Sequence, residues 1–330
     1  MTATGWLRTG WDSWTDLGRI RALLDAGADP NSGVSHFGTP LHAAAQHGSP
    51  EVVAELAGRV DDIDALYKGR TALWSAVFAD RPGNARALVS AGADPWRPMM
   101  TGWPPGRLAL AGPTPDLFPV PSADGGASIA MTGAGLGLTE AERAAAAEAG
   151  RLKAAIGTFF YEGLGLACVA GITAAEAARR LDAVPADEDD LELIDDDPGS
   201  DYEHGLTIVG VTDVPGGCVV TQPWGYTPFT SGVTGRLSVR TVCYAMYANA
   251  ADGNQGSVHR DGSDEAWDTH PGGGAVSGDE PADEILACYL YQGHALAYCC
   301  AGAGLRLTDP RPIMGPPDMW LRLPDQDTWA

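Results

Sequence analysis

Basic residues are scarce in this chain. Lys and Arg number 21 against 43 Asp and Glu, a formal net charge of −22 over 330 residues. Duplex nucleic acid and anionic membrane surfaces are bound by exchanging counterions for Lys and Arg, so neither is an expected partner. Charged residues of both signs make up only 19% of the chain while hydrophobic ones reach 45%, which excludes global disorder and leaves apolar material for about two domains. A long, purely apolar run is also missing. The nearest approach, Ile285 to Leu305, is uncharged but holds Gln292, His294, Tyr289, Tyr291 and Tyr298. A bilayer core would penalise those polar groups, so the run is expected to be a buried helix of a globular core. Met1 to Trp14 contains no apolar stretch, so no secretory leader is expected. A cytoplasmic location follows, with the six cysteines as reduced thiols.

Several chemical signatures are absent as well. No Cys-x-x-Cys pair occurs, and the adjacent Cys299 and Cys300 would point to different sides of a helix, so no metal is expected and the cysteines read as small buried hydrophobes. No Gly-x-Ser-x-Gly elbow surrounds a serine. The run Gly133-Ala134-Gly135-Leu136-Gly137 has neither the spacing nor the lysine of a phosphate-binding loop and reads as linker. Asp252 to Gly256 lacks the distal Glu of a calcium loop and reads as a hairpin turn. No cofactor is called for.

What is present is repetition. Leu23-Leu24-Asp25-Ala26-Gly27-Ala28-Asp29-Pro30 returns as Leu88-Val89-Ser90-Ala91-Gly92-Ala93-Asp94-Pro95, and Gly38-Thr39-Pro40-Leu41-His42-Ala43-Ala44 is echoed by Gly69-Arg70-Thr71-Ala72-Leu73-Trp74-Ser75-Ala76. The phase is that of a unit of about 33 residues. Thr39 is placed to cap a helix, Pro40 sits at its first position, and Gly27 and Gly92 supply the positive φ that ends the second helices. Helices are expected at Ile20–Ala26, Leu41–His47, Glu51–Leu56, Ala72–Phe78 and Asn84–Ser90. A last repeat, broken by Pro104, Pro105, Pro113, Pro115 and Pro119, reads as a capping turn, and so short an array needs a cap. Residues 10–118 resemble the ankyrin-repeat family, whose Thr-Pro-Leu-His signature stands at Thr39 to His42. The resemblance implies that His42 holds backbone between repeats. It also implies recognition of another protein through tips and first-helix ends, here Ser35, His36, Gln46, His47, Tyr67, Lys68, Arg70, Phe78, Met100 and Thr101. Phe78 reads as an exposed aromatic anchor.

Residues 119–138 read as a Gly/Ala/Pro-rich linker. Thr139 with Glu142, and Thr173 with Glu176, are capping boxes opening helices that run to about Ile156 and Leu181. Asp187 to Glu203, acid-rich without Lys or Arg, reads as a solvated loop. Leu206–Thr212, Cys218–Gln222, Val239–Ala248, Gly256–Arg260 and Glu265–His270 read as strands, with a turn at Pro215-Gly216-Gly217. Residues 139–330 are thus expected to form an α+β domain with an antiparallel sheet, on which the N-terminal all-α repeats (1–118) would pack; the overall class is α+β. Gly163 to Gly171 and Gly235-Arg236-Leu237-Ser238 are similar to an uncharacterised actinobacterial domain, which brings no activity with it. The expected function is a protein-binding module or adaptor, immunity-like towards a basic partner. The alternative is a cofactor-independent cyclase, isomerase or hydrolase drawing on Glu162, His204, Asp261 and His294.

Overall fold

The computed structural model describes residues 6, 11–34, 37–121, 136–196, 202–249, 251, 253–268, 270–274 and 276–324. Ser35, His36, Asp252 and most of the expected linker, with the start of its glycine run, lie outside them. The chain forms two compact units, Met1–Ala146 with Ala275–Leu290, and Ala147–Gly274 with Tyr291–Ala330. The division expected from sequence, at 118 and 139, differs from this one, because residues 275–290 return to the N-terminal unit.

The first unit is helical. A 3-10 turn at Trp11–Thr15 leads into α1 (Leu17–Asp25), followed by the pairs α2 (Pro40–His47) and α3 (Pro50–Ala57), then α4 (Ala72–Phe78) and α5 (Pro82–Ser90), and by α6 (Pro105–Ala111). Small residues explain the close stacking: Ala43, Ala44 and Ala45 are fully buried on α2, as are Ala72 and Ala76 on α4. Asn84 on α5 donates to the carbonyls of Ala44, Ala45 and Gly48 at 3.0–3.2 Å, tying one pair to the C-terminal end of α2 in the preceding one. Gly27 and Gly92 do take positive φ, 88° and 105°. α7 (Glu140–Ile156) opens with the expected reciprocal capping box, the Glu142 amide donating to Thr139 Oγ1 at 3.2 Å and the Thr139 amide to the Glu142 carboxylate at 2.8 Å.

The second unit is built on one antiparallel sheet: β1 (Gly165–Ala170), β2 (Val184–Pro185), β3 (Ile208–Val214), β4 (Gly217–Gln222), β5 (Val242–Asn249), β6 (Gly253–Arg260), β7 (Ser263–Asp268) and β8 (Met319–Arg322), in the order β2-β8-β3-β4-β1-β5-β6-β7. Central β1 is apolar on both faces, while edge strand β7 is largely exposed and acidic, a charge pattern that discourages further strand pairing. On one face Ala167, Val169, Val209, Val211, Cys218, Val220, Cys243 and Ala245 form a core with α8 (Ala174–Arg180). Between β2 and β3 lie α9 (Glu188–Asp196) and α10 (Tyr202–Gly205); α11 (Ser231–Leu237) joins the same core through Val233 and Leu237.

Two expectations fail here. The acid-rich stretch is not simply a solvated loop, because Glu188–Asp196 is helical and Asp190 is buried. Its carboxylate accepts from Arg322 at 3.0 Å, a partner too distant in sequence to be read from a run of acids, and His204 stands 2.8 Å away. The uncharged run at 285–305 is two helices, α12 (Ala282–Leu290) and α13 (Ala295–Gly302), separated at Gly293 with φ 72°. α12 belongs to the first unit and α13 to the second, where the Cys300 thiol lies 3.6 Å from that of Cys168. A short α14 (Arg311–Met314) precedes β8. No helix among the described residues is long and apolar enough to cross a membrane.

Candidate protein-interaction site

The repeat signature orders backbone before it offers anything to a ligand. His42 Nε2 stands 3.2 Å from the Arg70 carbonyl oxygen and Nδ1 stands 2.9 Å from Thr39 Oγ1. A carbonyl can only accept, so Nε2 carries the proton and Nδ1 accepts from the Thr39 hydroxyl. Burial pushes the His42 pKa down and keeps the ring neutral. Thr39 therefore spends its hydroxyl on His42 and makes no side-chain cap, contrary to expectation. Thr71 in the next repeat does cap, accepting from the Trp74 amide at 3.1 Å.

His42 thereby fixes the strand-like tip that follows. The Tyr67 amide donates to the Arg70 carbonyl at 2.9 Å and the Arg70 amide to that of Tyr67 at 3.0 Å, with Lys68 and Gly69 at φ 50° and 77° between them. Two consecutive positive φ values make the tight hairpin turn that suits a strand twist. Lys68 is exposed at the apex, its Nζ 5.7 Å from the centre of the half-buried Tyr67 ring. Gln46 and His47 end α2 half-buried; Gln46 offers its carbonyl to Arg81 at 3.1 Å, and the His47 ring meets Phe37 edge-on at 5.5 Å.

The remaining positions depart from the expected exposed face. Phe78 is only 7% exposed, stacked on Trp74 at 4.8 Å and facing Tyr289 at 5.8 Å. It is not a free anchor, and the aromatic that covers it comes from α12, far away in sequence. Met100 and Arg70 are buried too. Thr101 is exposed, yet its hydroxyl lies 3.1 Å from the Gly278 carbonyl and 2.9 Å from that of Glu280. The Gly278 amide donates to the Lys68 carbonyl at 3.3 Å, and the Trp103 indole to Ala282 at 2.7 Å. Residues 278–289 of the same unit therefore lie against one end of the face that the resemblance assigns to recognition. Sequence inspection missed Trp103 and residues 278–282 because nothing local marks a stretch that returns from so far along the chain.

The residues of the enzyme alternative lie on different elements. Glu162 lies in the turn before β1, Asp261 in the β6–β7 turn, His204 on α10 and His294 before α13. His294 lines a shallow, open cleft with Lys153, Ile156, Phe159, Tyr161 and Leu296. Burial, and then the Lys153 charge, push its pKa down. No group of three or more His, Cys, Asp or Glu among the described residues is arranged to hold a metal ion.

Residues 15–99 match the family model for ankyrin repeats, in three copies. No curated protein matches the chain.

Proposed function

We propose that this protein binds another protein through its ankyrin repeats, with the hairpin tip at Tyr67 and Lys68 and the α2 end at Gln46 and His47 as the contact surface. The observation that carries this reading is the match to three ankyrin repeats, units that recur as scaffolds for recognition. The Tyr67 ring at the tip supports it, since tyrosine is enriched at interface anchors. The net charge of −22 supports the finer reading of a basic partner in an immunity-like role, because a strong negative field speeds encounter with positive surfaces.

A photo-crosslinking residue placed in turn at Lys68, Gln46 and the exposed Arg86 of α5 tests this in the native host. Lys68 and Gln46 should capture the same protein and Arg86 should not. Capture from Arg86 alone, or from none of the three, would remove the proposal.

A further inference from the structure

Among the described residues of the first unit two arginines are buried, and they are treated differently. Arg107 is 2% exposed and fully supported. Glu142 accepts from its guanidinium at 2.6 and 2.7 Å, Gly102 and Gly137 offer carbonyls, and the Trp103 ring lies 4.2 Å beneath it. That is how a structural arginine is satisfied. Arg70 is 7% exposed and has none of this: its Nε is buried without an acceptor, and no carboxylate among the described residues lies within ion-pair distance of it. The Trp74 ring, 5.9 Å away, is its one close π partner among the described residues. Burial pushes its pKa down.

Residues 277–281, Ser-Gly-Asp-Glu-Pro, lie against the adjoining Lys68 and Gly69, and none of them is fully buried. A methyl group on Gly69 would stand 3.0 Å from the Gly278 Cα and 3.7 Å from Met100 Sδ, so backbone meets backbone here beside the buried Met100 thioether. Glu280 is the nearest acid able to help, but its carboxylate accepts from the Ser277 amide at 3.0 Å and serves the turn instead. The attachments of this stretch are polar: the Thr101 hydroxyl on the Gly278 and Glu280 carbonyls, and the Gly278 amide on Lys68. Apolar anchorage flanks it on both sides, through Val276 before it and Ile285, Leu286, Tyr289 and Leu290 of α12 after it. The turn can therefore lift only as a short loop between two seated ends.

We infer that residues 277–281 are a displaceable cover over Arg70, and that the uncovered surface takes an acidic peptide segment of a partner protein, whose carboxylate makes the ion pair the cover leaves unmade. The inference rests on the protein-binding reading and adds the local chemistry of the ligand. Overall negative charge and a local taste for acid are compatible, because the first acts at a distance and the second within a buried contact. An arginine fork matches a carboxylate in two parallel hydrogen bonds, and low local dielectric strengthens that pair.

Capped, fluorescent tetraglutamate, with tetraglutamine as control, is titrated onto the full-length protein by anisotropy at about 0.15 M salt, where the long-range repulsion of the acidic protein is screened. Thr101→Val, which cuts the hydroxyl tie to the cover, should tighten tetraglutamate binding about tenfold. Arg70→Gln should weaken it by about tenfold or more, and tetraglutamine should bind to none of the proteins. Amide exchange at Gly278 and Glu280 should speed up when tetraglutamate is added to the wild type. If Arg70→Gln does not fold, judged by circular dichroism, Arg70→Lys replaces it and should bind several-fold less tightly, because lysine lacks the fork. Undiminished binding by a folded Arg70 variant overturns the inference. So does absence of binding to Thr101→Val, or binding that leaves exchange at 278–280 unchanged. Crosslinking from Gln46 at the end of α2 reports on the interaction reading separately, since Lys68 itself holds the cover through its carbonyl.

Discussion

The repeats and the sheet bury their cores by different routes. In the repeats each helix pair meets its neighbours along the chain: Asn84 reaches the end of α2 and His42 reaches the tip of the next repeat. In the sheet, β1 pairs with β4 and β5, and β3 pairs with β8 near the other end of the domain. The first arrangement repeats a local rule and writes itself into the sequence as a period. The second depends on pairings that no local rule fixes. Residues 275–290 join the two styles, since a stretch embedded in the sheet half of the sequence completes the core of the repeats.

The largest effect expected from this contrast is at Phe78. If the repeats were closed by sequence neighbours alone, Phe78 would be solvent-facing and dispensable. Because Tyr289 and Trp74 enclose it, Phe78→Ala should cost about 3–5 kcal/mol, measured as a shift in the denaturant midpoint. Phe160, of similar size and 68% exposed, should tolerate alanine within about 0.5 kcal/mol. Equal effects at the two sites would erase the distinction.

A smaller effect is expected at Asp190, which joins elements of the sheet unit in the way His42 joins repeats. Its side chain is 1% exposed, while those of Arg322 and His204 are 37% and 41% exposed, so solvent screens the pair from one side. Burial pushes the carboxyl up. The Asp187 amide, His204 and Arg322 outweigh it, so the pKa lies below the usual carboxylate range. A depressed folded pKa gives stability that is present above the unfolded value, about 3.9, and is lost as pH falls through the folded one. Asp190→Asn should cost about 1–2 kcal/mol at neutral pH, with the gap to the wild type closing below about pH 4. A gap that stays constant with pH would deny the carboxylate its role.

Much of both architectures was legible. The Leu-x-Asp/Ser-Ala-Gly-Ala-Asp-Pro recurrence and Thr39 to His42 placed α1 to α5 to within a few residues, because turn chemistry and helix caps are local. Alternation and the Pro215-Gly216-Gly217 turn placed β3 to β6 for the same reason. What could not be read was long-range partnership. Nothing around Asp190 announces Arg322, and nothing around Phe78 announces Tyr289. The run at 285–305 carries one hydropathy signal for two helices, which Gly293 divides between different cores. At the candidate face the tip residues Tyr67 and Lys68 were readable from the repeat phase, whereas the burial of Arg70, Phe78 and Met100 depends on neighbours that the phase does not include.

The central claim is that the repeats recognise a protein with a face that the chain itself partly covers. Amide exchange of the full-length protein, with and without the partner captured from Lys68, tests it most directly. The account expects new protection at Tyr67–Lys68 and Gln46–His47, together with faster exchange at Gly278 and Glu280 as the cover lifts. Protection confined to the strands β1 to β8, with residues 46–47, 67–68 and 278–280 unchanged, would contradict it.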